Sequence, residues 1–277
     1  MSDQFNVDPL RLYFGDPYKI TDTITVLQPT LQQIMDYGEN EFFAMLYCFI
    51  GNTTYKRLSL WESGIDWNKI SDYELFCNLV HMLSVEQTSI IFGDINFQKF
   101  DLYQLNDVEL PEDPPDKKLT SAEKRKKAFL EYELQHVFYN EEQNIVITAD
   151  DYRKIAAVLR AMVHMYPKSE YAANKISKEL IIQEEKNKLA RVEQEQKDTP
   201  SSTLLPLVSF CVNHPGFKYK TSELKDIHIN EFMDSVRRLQ VYESTHALFS
   251  GMYSGFCDTS KIPRSEFDFT RPIDISK

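Results

Sequence analysis

His136-Val137-Phe138-Tyr139, then Asn144-Ile145-Val146-Ile147, then Thr148-Ala149-Asp150-Asp151-Tyr152 is the stretch that decides the fold. Two short runs rich in β-branched and aromatic residues flank an acidic turn at Asn140 to Gln143, the pattern of a β-hairpin. Thr148 with the two aspartates then caps a helix, because side-chain oxygens and negative charge suit the free N–H groups of a first turn. Tyr152, Ile155, Ala156, Leu159, Met162 and Val163 repeat at helical spacing, and the helix stops before Pro167. A hairpin feeding an amphipathic helix predicts an α+β fold, mostly α-helical, with small antiparallel strand groups.

Upstream, Ser71-Asp72-Tyr73-Glu74 reads as a capping box opening a helix with Leu75, Phe76, Leu79, Val80 and Leu83 inward. Leu31 to Phe49 is helical, with Gly38 a break and Gly51 an end. Another helix spans Thr54 to Ser63 before Gly64, which suits a left-handed cap. Residues 10–27 read as two short strands, the first Leu12-Tyr13-Phe14. Ile90-Ile91-Phe92 through Leu105 read as further strands. Residues 106–128, with Pro111, Pro114, Pro115 and a basic run from Lys117 to Lys127, read as a surface loop or linker. Residues 168–198 form a long charged helix whose apolar positions hold no heptad, so it is expected as a solvated arm. The expected domains are an N-terminal α+β unit at 1–167, a charged connector helix at 168–198, a helical unit at 201–257 and a loosely held tail at 258–277. Within 201–257, one helix carries Ile229, Phe232, Met233, Val236 and Leu239, and a second lies near His246 to Met252.

Bulk composition narrows the function. A chain of 277 residues with 42% hydrophobic content can bury a sizeable core. The net charge of -11 argues against general nucleic-acid binding, which needs a surplus of cations to neutralise phosphates. The N-terminus lacks the pattern of a secretion signal, and the apolar stretch from Phe42 to Ile50 is too short to span a bilayer, so no membrane association is expected. Cys48, Cys77, Cys211 and Cys257 lie far apart among apolar residues and are read as buried thiols of a reducing compartment.

No chemistry stands out. The six histidines show no i,i+4 pair, no two cysteines have C-x-x-C spacing, and neither Walker A nor G-x-G-x-x-G occurs. In Gly251-Met252-Tyr253-Ser254-Gly255 the serine is displaced from the centre that a nucleophile elbow requires, and Gly255 reads as a helix cap. No catalytic residue, metal or cofactor is expected. A hydrolase or nucleotide-modifying enzyme with an unrecognised site is the alternative class, and it would need a pocket of converging polar groups, near His164 or Asp150 for instance. Arg237 and Arg238 sit mid-helix, where at least one points outward, and with Phe232 and Tyr253 they are the protein-interface candidates.

Asn213-His214-Pro215-Gly216-Phe217-Lys218-Tyr219, Phe232-Met233-Asp234-Ser235-Val236-Arg237-Arg238-Leu239-Gln240 and Gly251-Met252-Tyr253-Ser254-Gly255 carry a family likeness. So do Tyr13-Phe14-Gly15-Asp16-Pro17-Tyr18, Gln28-Pro29-Thr30, Gly64-Ile65-Asp66-Trp67 and Ile70-Ser71-Asp72-Tyr73-Glu74-Leu75-Phe76. Together these resemble proteins encoded in the structural regions of tailed phages and prophages of Gram-positive bacteria. The resemblance covers most of the chain and is weakest over 106–130. It implies a non-enzymatic role in virion morphogenesis, as a tail-assembly chaperone, or else as a structural component of tail, neck or baseplate. The implied partners are phage structural proteins, such as a tape-measure or tail-tube protein, with a homo-oligomeric ring as another use of the same surfaces. The implied location is the host cytoplasm during assembly, or the virion for a permanent component.

Overall fold

Asp8 and Pro9 open the first element, and it is a helix. In the computed structural model, which describes residues 5–106, 108–110, 119–195, 202–255 and 259–272, the Asp8 carboxylate accepts from the N–H groups of Leu10 (3.0 Å) and Arg11 (3.3 Å). Proline suits a first turn, where its missing N–H costs nothing. Helix α1 (Pro9–Tyr13) therefore replaces the strand expected at Leu12-Tyr13-Phe14. The small hairpin follows as β1 (Tyr18–Lys19) and β2 (Thr25–Val26), paired antiparallel.

Helices α2 (Leu31–Tyr37) and α3 (Glu39–Ile50) are separated at Gly38, as the glycine predicts. Its φ of 101° lies in a region that a side chain would strain. Helix α4 (Arg57–Glu62) ends before Gly64, and α5 (Asp72–Val80) opens at Ser71, whose hydroxyl accepts from the Glu74 N–H at 3.1 Å. Ile90, Ile91 and Phe92 belong to a helix, α6 (Val85–Phe92), rather than the expected strand. Ser84 and Gln87 cap it reciprocally, Gln87 accepting from the Ser84 N–H at 2.9 Å, and that start outweighs the β preference of the apolar run.

The main sheet has the order β3-β4-β5, all antiparallel, from β3 (Phe100–Gln104), β4 (His136–Asn140) and β5 (Ile145–Ile147). Phe138 stands opposite Leu102 on one side and Ile147 on the other. Between β3 and β4 runs α7 (Ser121–Gln135), capped by Thr120 and Glu123. The expected surface loop at 106–128 is therefore helical from Ser121 onward, because the basic run is made of good helix formers behind a capping box. Pro111, Pro114, Pro115, Lys117 and Lys118 lie outside the described residues. Helix α8 (Ala149–Val163) follows the hairpin, with every predicted inward residue buried. Asp151 accepts from the Thr148 N–H and hydroxyl, and Asp150 pairs with Lys154 at 2.7 Å, so both aspartates serve the helix start.

The core beneath these elements is aromatic. Phe49 meets Phe92 with ring centroids 4.7 Å apart, and Phe100 stacks on Phe138 at 4.8 Å. The Tyr73 hydroxyl, fully buried, donates to the Ile147 carbonyl at 2.7 Å and joins α5 to the sheet.

Helix α9 (Lys175–Glu195) is docked along α4 rather than extended into solvent. Ile182, 4% exposed, enters a second buried cluster with Leu60, Trp67, Ile70, Leu75 and Ala172. Around it Arg57 pairs with Glu185 and with Glu170 (2.8 Å), and Lys178 pairs with Asp66 (2.5 Å). The charges expected to solvate an arm are thus spent on its neighbour. Substituting I182D puts a carboxylate into that small core, an unfavourable burial of several kcal/mol, and the expected result is rapid proteolysis within 175–195 while the rest of the chain resists. Unchanged protease resistance of that helix would contradict the docking.

After residue 201 come α10 (Leu204–Asn213) and α11 (Ile229–Ser254). The two helices expected within 229–252 are one, since no breaker stops the helix before Gly255, whose φ of 74° ends it. The expected boundary at 198–202 does not separate two cores. One buried cluster holds Ile34, Leu46, Leu159 and Met162 together with Phe232, Val236 and Leu239. Backbone bonds add to this, from Leu31 N–H to the Ile227 carbonyl and from Ile229 N–H to the Pro29 carbonyl, both 3.0 Å. Gly15 packs so tightly on the His228 ring that a Cβ there would lie 2.2 Å from it.

The tail is not loose over 259–272. The Arg271 guanidinium donates to the Thr245 hydroxyl (2.5 Å), the Glu266 carbonyl (2.7 Å) and the Ser244 hydroxyl (2.8 Å), clasping the segment to α11.

Candidate interaction site

Glu39, the first residue of α3, builds the site. Its carboxylate accepts from the Ser202 hydroxyl (2.5 Å) and from the N–H groups of Thr203 (2.5 Å) and Leu204 (2.7 Å), capping the start of α10 from another helix. A carboxylate at that end also suits the helix dipole. Beside this clamp opens an apolar groove of about 450 Å³, walled by Leu31 and Met35 of α2, Leu204, Leu205 and Val208 of α10, and Leu224 of a short turn. Met35 is 58% exposed and Leu205 is 64% exposed.

Helix α10 itself is unusual. Its sequence, Leu204-Leu205-Pro206-Leu207-Val208-Ser209-Phe210-Cys211-Val212-Asn213, is apolar except for the stripe of Ser209 and Asn213, a composition closer to a buried helix than to a surface one. Only Leu204 and Cys211 are buried, while Leu205, Phe210 and Val212 face outward. The apolar run was visible in the sequence. Its exposure was not, because periodicity cannot say which faces the rest of the chain covers.

The four interface candidates are dispersed. Phe232, 1% exposed, is a core residue and offers nothing to a partner, since it lies on the α11 face that meets α8. Arg238 is turned inward, donating to the Arg271 carbonyl at 2.8 Å. Arg237 is half-buried and close enough to His164 for its charge to act on that ring. Tyr253 is 80% exposed near the end of α11, its ring 6.2 Å from that of Phe249, and is the one candidate presented fully to solvent. None of the four lines the groove.

Asp150 is exposed and belongs to the helix cap, and His164 is half-buried at the end of α8 with its Nδ1 enclosed and unpartnered. A separate polar cleft of about 230 Å³ lies between α5, α7 and α8, lined by Asp72, Glu133, Tyr152, Arg153 and Arg160 among others. Sequence reasoning singled out none of these as a site, and no local spacing could have done so. Among the described residues, no three His, Cys, Asp or Glu side chains are grouped to hold a metal ion. No helix among them is long and apolar enough to cross a membrane. Cys77 and Cys211 are buried free thiols, Cys48 is half-buried, and Cys257 lies outside the described residues.

No protein-family model, no curated protein and no solved structure matches this chain.

Proposed function

We propose that the chain is a non-enzymatic phage morphogenesis protein, a tail-assembly chaperone that holds an apolar helical segment of another tail protein. The observation that carries this reading is α10, mostly apolar yet exposed at Leu205, Phe210 and Val212, with Leu205 forming a wall of the Met35 groove. A surface helix of that composition costs solubility unless something covers it, and an amphipathic helix laid in a groove is the usual cover. The acidic chain as a whole, at net charge -11, keeps such a holder from aggregating with itself. The phage assignment rests on the sequence resemblance, which supplies the partner class: a tape-measure or tail-tube protein.

The test is capture of tail proteins from phage-producing cells by the tagged full-length chain. Both Met35 and Leu205 are exposed, so M35D/L205D is expected to fold normally and to lose the tail protein, each charge weakening binding by about 2 kcal/mol or roughly 30-fold. Equal capture by the double variant would refute the groove. Mass spectrometry of purified virions then separates the two roles: a chaperone is absent from the particle, whereas a structural component of tail, neck or baseplate is present.

A further inference from the structure

The polar cleft is built more deliberately than a chance gap between helices. Two opposite charges of its lining, Arg160 and Asp72, are oriented by the loop after α3. The Ile50 carbonyl accepts from the Nε and Nη2 of Arg160 at 2.9 and 2.8 Å, and the Thr53 N–H donates to one oxygen of Asp72 at 2.9 Å. The loop is itself fastened. Asn52, buried, donates to the Lys168 carbonyl and Ser169 hydroxyl at 3.2 Å, and Thr54 exchanges hydrogen bonds with Glu170. The same fastened segment carries Tyr171, whose ring lies 3.8 Å under the Arg125 guanidinium at the cleft wall.

Two of the four charges lining the cleft cancel, because Arg153 pairs with Glu133. The other two do not. Among the described residues Arg160 bonds to the neutral Ile50 carbonyl and lies beside the neutral Tyr152 hydroxyl, and Asp72 bonds to a backbone N–H, so one guanidinium and one carboxylate line the cleft without an ion pair. The hydroxyl of Tyr152 is buried at this wall and has no hydrogen-bond partner. A buried hydroxyl left without a hydrogen bond is destabilising, and native structures rarely tolerate one without use. Burial, and then the Asp72 carboxylate, push its pKa up against the opposing pull of the neighbouring Arg160, so it remains a proton donor at neutral pH.

We propose that this cleft binds a small zwitterion of α-amino-acid class, its ammonium group on Asp72, its carboxylate on Arg160, and the Tyr152 hydroxyl bonded to it. A simple anion would answer Arg160 and face Asp72 with like charge; a simple cation would do the reverse. A ligand carrying both charges satisfies both, and such complementarity is what selects among polar ligands. The volume of about 230 Å³ limits the ligand to a small molecule, and Phe129, Ala156 and the Tyr171 ring leave an apolar corner for a short side chain. The site shares no residue with the α10 groove, so the two proposals stand or fall separately.

Calorimetric titration of the full-length chain with glycine, L-alanine and L-valine tests it, with acetate and methylammonium as singly charged controls. Saturable binding of at least one amino acid is expected, with both controls about tenfold weaker or more. Substitutions R160Q and D72N are each expected to weaken that binding about tenfold, since each removes one charge-assisted contact while keeping a group for Ile50 or Thr53. Y152F removes a single oxygen and relieves an unmade bond, so it folds even where R160Q does not, and it is expected to weaken binding several-fold. The proposal is overturned by no saturable binding of any of the three amino acids, by acetate binding as tightly as they do, or by binding that Y152F leaves unmoved.

Discussion

Replacing Phe232 with alanine lowers the melting temperature of the whole chain by roughly 10 °C, in a single cooperative step. Phe232 is 1% exposed and shares its buried cluster with Ile34, Leu46, Leu159 and Met162 from the N-terminal part. Removing a buried phenylalanine side chain costs about 3–5 kcal/mol, the loss of its transfer energy plus the cavity left behind. The location of that loss is what matters. If residues 201–257 were a separate helical unit, the substitution would shift one transition and leave another in place. A shared core instead predicts that signals from both parts move together, which calorimetry combined with near-ultraviolet circular dichroism reads directly. The backbone bonds between residues 29–31 and 227–229 point the same way, since they tie the start of α2 to the start of α11. Two melts, of which only the later responds to F232A, would restore the division into domains.

What the sequence could and could not convey follows from the range of each signal. Thr148, Ser71, Gly38 and Gly255 act within three or four residues of themselves, and all four mark the boundaries they predict. Ile90-Ile91-Phe92 failed as a strand because an apolar run of that length suits either element, and the deciding signal, Ser84 with Gln87, sits upstream of it. Asp8-Pro9 did the same for Leu12. The docking of α9 depended on Trp67 and Arg57, more than a hundred residues before their partners Ile182 and Glu185. Both candidate sites belong to this last kind. The cleft draws Asp72 and Arg160 to a loop at residues 50–53, and the groove closes only when Glu39 reaches across to α10. Arg238 looked like a surface anchor for the converse reason: a helical position says which way a side chain leaves its helix, not whether another segment, here 259–272, lies over it.

His164 makes stability fall as the solution is acidified. It closes α8 in a left-handed conformation, with φ at 54°, and its side chain is held inside against α11. The Asn230 amide donates to the Ala161 carbonyl at 3.1 Å and lies 3.4 Å from Nε2, which leaves that nitrogen to accept and Nδ1 to carry the proton with nothing to give it to. A second proton would therefore meet an amide donor. Burial, and then the Arg237 charge, hold the pKa down at about 4 against an ordinary 6.5. The sign follows from which state takes up protons first. Between pH 6.5 and about 4 the unfolded chain protonates this histidine while the folded chain does not, so stability is greatest above 6.5 and declines as pH falls to about 4. The span is worth about 3 kcal/mol at most. Asparagine tolerates the left-handed region better than other side chains and carries no titrating group, so H164N is expected to keep the fold and lose this part of the pH dependence. Urea unfolding at pH 7, 5.5 and 4.5 compares the two, and carboxylate titration cancels because both proteins share it. Removing the nearby charge with R237Q should raise the histidine's own pKa, visible as a shift in its ring proton titration. Parallel stability curves for the native chain and H164N, or a ring titrating near 6.5, would mean that the histidine is solvated and that the end of α8 is open to water.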